Sequence, residues 1–484
     1  MELHLGLSGS GDLTTRLYRE LREAIRDGRL RPGDRLPPTR ELAGRLELAR
    51  GTVATAYERL VAEGFLVARV GAGTYVADDV PDSGPRGRRR AGAVRPRRSW
   101  TATPTPVSTD GVLPYDFSVG VPDPGLFPFD TWRRLVSSEL RAGANSPGRY
   151  GDPAGLPGLR EAVSRYIGVS RAVLCDPEDV LVTNGTQHAL DLVSRVALEP
   201  GDTVVVEDPG YPPAAMLFAA FGMRVAPVPV DEEGLVVEQL PARARLVYVT
   251  PSHQFPTGAA MSLRRRVDLV EWAQEHDALV VEDDYDSEFR FSSRPLEPLV
   301  NLDPSGRVCY VGSFSKTMLP ALRVGFVVVP PSLRSALRAA RQLSDGFGAV
   351  PTQAALARFI DEGMLARHVR KASGVYAARH AAVLAALEPV PGLRLVPSSA
   401  GLHVCARIPG ALPGDGRRVV VAARRVGVAV ESLDGYYLGA QGSTSDGTAA
   451  REGVVVGYGA VADERLDEGL RRLVRVLRRE TAVS

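Results

Sequence analysis

Lysine is nearly missing from this chain: of 59 basic residues among 484, only Lys316 and Lys371 are lysine. Arginine effectively never deprotonates, whereas a lysine amine can lose its proton and attack a carbonyl. A surviving lysine is therefore a candidate for chemistry that arginine cannot do. Lys371, in the run RHVRKAS, is read as a chance survivor; for Lys316 the neighbours decide. Cysteine is scarce too. Cys175, Cys309 and Cys405 are too few and too scattered for a disulfide framework or a CxxC metal site, and buried thiols are expected. Apolar runs fall short of the ~18–20 residues of a membrane helix, and Met1 to Ser10 lacks the basic and apolar regions of a signal peptide. The expectation is a soluble cytoplasmic protein with no membrane partner and no metal. A net charge of +2 with 44% hydrophobic residues excludes a disordered or supercharged chain, and the length excludes a single small module.

The overall charge balance hides an asymmetry. Residues 1–98 hold 19 arginines against 13 acids, which leaves 40 basic and 44 acidic residues in the remainder. A basic end suggests a polyanionic partner, most commonly nucleic acid. Its pattern is helical: Leu13, Leu17, Leu21, Ala24 and Ile25 recur at helical spacing before Asp27-Gly28. A second helix opens at Thr39, and a third runs from Thr52 to Glu63 with Val53, Ala56, Tyr57 and Leu60 on one face. Phe65 to Val67 and Arg69 to Val76 follow as two strands around a glycine turn. Two short helices across a brief turn, then a wing, is a layout that reads double-stranded DNA.

The run LYRELREAIRDGRLRPGDRLPPTRELAGRLELARGTVATAYERLVAEGFLVARVGAGTYV resembles the winged helix of GntR-type bacterial transcription regulators. The resemblance implies that Arg40 contacts the DNA backbone, that Arg50 and Thr52 approach base edges, and that Gly71 lets the wing tip meet a phosphate. The chemistry of the side chains agrees. An arginine at a recognition-helix start can make the two-pronged guanine contact, and Thr52 and Thr55 suit phosphates or thymine methyls. Between Ser83 and Thr109 lie seven arginines and no acid among Gly, Pro, Ser and Thr, which reads as a flexible tether. The boundaries are therefore 1–80 for the DNA-binding domain, 81–112 for the linker and 113–484 for the rest.

Beyond Leu113 the texture changes to apolar strands alternating with helices: VLVTN, DTVVVED, RLVYVTP, ALVVEDDY, RVCYVGSFS and RVGFVVVP. This argues for a mostly parallel sheet covered on both faces, with a small C-terminal α+β subdomain at roughly 365–484. Such sheets place ligands at the carboxyl ends of their strands. There Gly185, Thr186 and Gln187 open a helix, an anion cradle; Asp283 and Tyr285 follow ALVVE; and Ser313, Lys316 and Arg323 follow RVCYVG. An amine for an aldehyde, an anion site, an acid for a ring nitrogen and an aromatic stacker are what pyridoxal 5'-phosphate requires.

The order and spacing resemble fold-type I, class I aminotransferases from about Phe117 onward. That resemblance implies that Lys316 bonds the cofactor aldehyde, Asp283 pairs with the pyridinium nitrogen and Tyr285 bonds the ring hydroxyl. Tyr211, in EDPGYPP, matches the stacking position. Gly185, Thr186, Gln187, Ser313 and Arg323 form the phosphate cup, with Tyr150 reaching in from a second subunit. Gly120 matches the loop near a substrate carboxylate. Two departures stand out. Phe255, in the run PSHQFPTG from Pro251 to Gly258, occupies the place of an asparagine that touches the ring hydroxyl, with His253 or Gln254 as candidates to take over. Near the C-terminus, only Arg451 is a candidate for the carboxylate-binding arginine.

TPSHQFPTG, EDDYDSEFR, GSFSKTMLPALRVG and ARHVR resemble one GntR subgroup, the MocR-type regulators, in which a winged helix is fused to an aminotransferase-like domain. This implies a homodimeric transcription regulator that senses a small amine, an amino acid or the cofactor itself. A working aminotransferase with an accessory DNA-binding domain is the alternative, with Lys316 also serving as general base.

Overall fold

The computed structural model describes residues 12–69, 71–79, 94–103, 113–141, 149–291, 296–438 and 451–481. It divides into two compact units, Met1–Pro96 and Arg97–Ser484.

In the first unit, α1 (Leu13–Arg26) starts where Asp12 accepts a hydrogen bond from the Thr15 amide at 2.7 Å, satisfying a helix-end donor. It crosses α3 (Arg50–Ala62), and α2 (Thr39–Leu46) packs on α3 in turn. Leu17, Leu21, Leu42, Val53, Ala56 and Leu60 meet in the core, each 1% exposed or less. β1 (Leu66–Arg69) and β2 (Gly73–Val76) pair antiparallel as the wing. The third helix begins at Arg50, two residues before the expected Thr52.

The second unit does not begin as an extended tether throughout. Arg98–Ala102 forms a short helix that packs on the helix Pro212–Ala220. The arginine-rich stretch 80–93 and residues 104–112 of the expected linker lie outside the described residues. β3 (Tyr115–Asp116) precedes eight strands of one mixed sheet: β4 (Val180–Thr183), β5 (Thr203–Asp208), β6 (Arg224–Asp231), β7 (Gly234–Leu235), β8 (Ala244–Val249), β9 (Leu279–Asp284), β10 (Val308–Ser313) and β11 (Gly325–Val328). Their order is β4-β11-β10-β9-β8-β5-β6-β7. The five central strands from β10 to β6 run parallel, and β11 and β7 pair antiparallel with their neighbours. Helices cover both faces, which is why Val204, Val205 and Val206 are all buried and the strand reads as a continuous apolar run.

The C-terminal layer holds β12 (Arg394–Leu395), β13 (His403–Arg407), β14 (Val428–Ala429), β15 (Glu431–Ser432) and β16 (Gly453–Gly457), with the long helix Met364–Leu387 and the final helix Asp463–Thr481. Four of these strands form one sheet, ordered β12-β13-β16-β15. β3 pairs with β14, and Phe117 is fully buried in this layer's core. The segment after the linker thus packs with the C-terminal subdomain, 312 residues further along the chain, rather than with the strands that follow it. Among the described residues, no helix is long and apolar enough to cross a membrane.

Candidate cofactor site at the strand ends

A cavity of about 240 Å³ opens at the carboxyl ends of β8, β9 and β10. β10 ends at Ser313, and a one-turn helix, Phe314–Thr317, then presents Lys316 into the cavity. Lys316 Nζ donates to the Gly120 carbonyl at 2.5 Å. Gly120 has φ +71°, and a Cβ there would lie 2.8 Å from Nζ, so this contact requires glycine. Burial is the main influence on the amine and pushes its pKa below the usual lysine value, which favours the neutral nucleophile.

β9 ends in two acids that alternation sends to opposite sides. Asp284 turns away from the cavity to Arg171, with an ion pair of 2.7 Å, and to the Tyr310 hydroxyl, which donates at 2.5 Å. That cation is what a buried carboxylate demands. Asp283 lines the cavity and accepts from Tyr248 at 2.7 Å and from Thr186 at 3.4 Å, with no ion pair among the described residues. Burial drives its pKa up to about 7. A buried carboxyl this short of positive charge fits a protonated ring nitrogen.

The antiparallel course of β11 brings its start to the same end as the parallel strands' finish. Arg323, just before it, takes φ +51° and donates to the Asn184 carbonyl. A Cβ at Gly185 would lie 3.5 Å from the Arg323 guanidinium, and Gly325 packs so closely on Gly185 that a Cβ would come within 2.8 Å. The helix Thr186–Ala197 begins here with φ +90° at Gly185. Its free amides, the Thr186 and Ser313 hydroxyls, Arg323 and the Gln187 side chain make the anion cradle. The buried Gln187 amide nitrogen, a donor at the place of a bound group, lies beside the Tyr211 hydroxyl.

Tyr211 and Tyr285 both line the cavity. The Tyr285 hydroxyl donates to the His253 carbonyl at 2.9 Å and lies 3.0 Å from His253 Nδ1. Phe255 also lines the cavity and meets Tyr211 and Tyr285 edge to face, at centroid separations of 5.7 and 5.8 Å.

Three expectations need correction. Neither His253 nor Gln254 replaces the asparagine in the cavity lining: Gln254 is spent on Glu207, Pro209 and Thr257, and His253 on Asp286 and Ser398. Arg451 is not in the lining but stacks over the Tyr437 ring at 5.0 Å. Cys175 is only half-buried, whereas Cys309 and Cys405 are buried, and all three are free thiols. Tyr150 is 97% exposed and outside the cavity of its own chain. Lys371 is exposed on the long C-terminal helix. Buried His253, Asp286 and His403 bring ligand-type atoms within 4.8 Å of one another, but His253 already bonds Asp286 and Ser398, and His403 bonds the Pro256 carbonyl.

Residues that sequence reasoning missed include Tyr248, Thr250 and Val119. Tyr248 sits within the apolar run RLVYVTP, and only its hydroxyl hinted that this strand end meets a polar group.

In the winged unit Arg40 and Arg50 are exposed and make no ion pair among the described residues; Arg50 is the first residue of α3, with Thr52 and Thr55 on the following turns. Gly71 sits exposed at the wing turn with φ +75° and open space around it.

These features define a class: a pyridoxal-phosphate-binding, aminotransferase-like unit on one chain with a DNA-binding winged helix. Residues 116–435 match the family "Aminotransferase class I and II", and residues 13–76 match "Bacterial regulatory proteins, gntR family". The chain is 36% identical over 466 residues to the "probable rhizopine catabolism regulatory protein MocR" of Rhizobium meliloti, covering 94% of this chain and 92% of that one. It is 34% identical over 490 residues to the "HTH-type transcriptional regulator TauR" of Rhodobacter capsulatus, covering 98% of each. Among solved structures, LysN, the α-aminoadipate aminotransferase of Thermus thermophilus complexed with N-(5'-phosphopyridoxyl)-L-leucine, matches with a TM-score of 0.68 and 30% identity over 78% of this chain and 94% of that one. The chain belongs to the MocR-type transcription regulators, a GntR DNA-binding domain fused to an aminotransferase-like domain that takes pyridoxal phosphate.

Proposed function

We propose that this regulator senses a small amine or amino compound, or the cofactor itself, through the cavity around Lys316, and that occupancy changes its grip on an operator. Bound pyridoxal phosphate supplies an aldehyde that condenses with primary amines. Lys316 would hold that aldehyde, and a ligand amine would compete with it for the same carbon. Asp283 keeps the ring nitrogen protonated, Tyr285 bonds the ring hydroxyl, and Tyr211 stacks on the ring. Gly185, Thr186, Gln187, Ser313 and Arg323 hold the phosphate. The free Lys316 amine has a partner of its own in the Gly120 carbonyl, at 2.5 Å. A ligand shifts DNA affinity only by its differential affinity for the two arrangements of the protein.

On the DNA side, Arg50, Thr52 and Thr55 read base edges and nearby phosphates, while Arg40 and Gly71 hold the backbone. We place the protein in the cytoplasm as a homodimer, in which the exposed Tyr150 reaches the partner's cofactor.

The observation that carries this reading is the half-buried Lys316 amine and the buried Asp283 carboxyl facing one cavity, on a chain that also carries a winged helix. The test is the visible spectrum of the purified protein loaded with pyridoxal phosphate, followed as amines and amino acids are added and then a 2-oxo acid. A band that shifts on one ligand and stays shifted, with a parallel change in operator affinity, supports a sensor. Repeated turnover driven by the oxo acid makes the protein a working aminotransferase instead.

A further inference from the structure

Three carboxylates act on the Lys316 amine: Asp286, Asp283 and Glu431. Two have clear occupations, since Asp283 faces the place of the ring nitrogen and Asp286 is bonded to His253 Nδ1 at 3.0 Å. Glu431 does not. It stands on β15, where its Oε1 accepts from the Val119 amide at 3.0 Å and its Oε2 accepts from the Tyr436 hydroxyl. It has no ion pair among the described residues, and the Lys316 amine is a cation on which its charge acts.

Val119 and Gly120 both line the cavity, and the Gly120 carbonyl is what Lys316 Nζ bonds. Glu431 therefore anchors, through the Val119 amide, the same two-residue segment whose Gly120 carbonyl marks the place where a ligand amine would take over from Lys316. Phe255 stands on the same side, edge-on to the Tyr436 ring at 5.2 Å, and offers no hydrogen-bond donor. This wall carries an apolar ring, and behind its Val119 stands the Glu431 anion, outside the lining itself, on the side where an amino acid would have to lodge its α-carboxylate.

We infer that Glu431 is a specificity-determining residue that excludes an α-carboxylate, so that the pocket's ligands are primary amines whose amine-bearing carbon carries no carboxylate. The inference rests on the sensing function proposed above. Two like charges about 6–12 Å apart, at the effective dielectric of about 20 near a half-buried site, cost roughly tenfold to a hundredfold in affinity. A ligand amine, positive before it reacts, meets attraction instead. The rejection is built from an unfavourable contact with the wrong ligand, a common way of achieving specificity.

The test titrates the full-length, cofactor-loaded protein with phenethylamine and with L-phenylalanine, which differ by the carboxylate, and reads the concentration that half-shifts the visible band. Ethylamine and L-alanine form a second pair that removes any effect of side-chain size. Each amine should act at a concentration at least roughly tenfold below its amino acid. Glu431→Gln, which keeps an acceptor for the Val119 amide but loses the charge, should bring each pair within about threefold, whereas Glu431→Asp should keep the preference. The wild-type ratio needs no variant to fold. Equal or better response to the amino acids overturns the inference and leaves the sensing function standing, as does an unchanged ratio in a folded Glu431→Gln. A band that answers neither amine nor amino acid overturns both.

Discussion

Replacing Asp283 with asparagine should flatten the pH dependence of stabilisation by the cofactor. The Asp283 carboxyl is buried, bonded to Tyr248 and Thr186, and raised from 3.8 to about 7, chiefly by desolvation. At 1.36 kcal/mol per unit, a shift of that size places a cost of about 4 kcal/mol on the ionised form in the folded state. The unfolded chain releases this proton near pH 3.8 and the folded chain near 7, so the folded state holds more protons in between. Stability present below 3.8 is therefore lost progressively as pH rises to about 7. A protonated ring nitrogen beside the carboxylate returns part of that cost, and only where the carboxylate is ionised. The melting-temperature gain on loading with pyridoxal phosphate should therefore grow between pH 5.5 and 8; a return of about 2 kcal/mol corresponds to roughly 2 °C. Glu207, Glu282 and Glu288 are also pushed up to about 7 by burial, but they are common to the empty and loaded protein and drop out of the difference. In Asp283→Asn the gain should be smaller and level with pH. A level gain in the wild type, or an undiminished slope in the variant, would refute the assignment.

Other substitutions separate the remaining roles. Lys316→Ala should keep the fold by circular dichroism but lose the cofactor that borohydride fixes to the chain, seen by intact mass, while Lys371→Ala should keep it. Arg323→Ala should weaken cofactor binding by roughly tenfold to a hundredfold, the worth of a charge-assisted bond to phosphate, measured by fluorescence titration. Arg50→Ala should cost about 1–3 kcal/mol on operator DNA and far less on random DNA, and equal losses would make it a phosphate contact. Arg40→Ala should weaken both DNAs alike and lower the salt slope of binding by about one.

The local part of the site was legible in the sequence. A lysine in a nearly lysine-free chain, the acid at the end of an apolar strand and the glycine-hydroxyl turn all announce themselves within a few residues, because strand ends and helix starts have short-range signatures. What the pattern could not convey was partnership across the fold. Asp283 and Asp284 are adjacent in sequence, yet one faces the cavity and the other pairs with Arg171, 113 residues away. A continuous apolar run carries no sign of strand direction, since β11 is buried on both faces like its neighbours. Its reversal is nonetheless what sets Arg323 beside Gly185.

The same limit explains the substrate side of the cavity. Phe255 was visible as a departure, but the sequence offered His253 and Gln254 as replacements on proximity alone. Both have buried partners that hold them elsewhere: Asp286 and Ser398 for His253, Glu207 and Thr257 for Gln254. A buried polar side chain with its bonds already made cannot swing into a neighbouring cavity without leaving those partners unsatisfied, at a cost of about 1–3 kcal/mol for each group stranded. On this side Phe255 stands in the lining, and behind it, from a strand more than 170 residues further on, stands Glu431, whose position is fixed by its bond to the Val119 amide. Ligand choice thus turns on a residue that no local motif singles out, because its role exists only once β15 is folded against the segment after the linker.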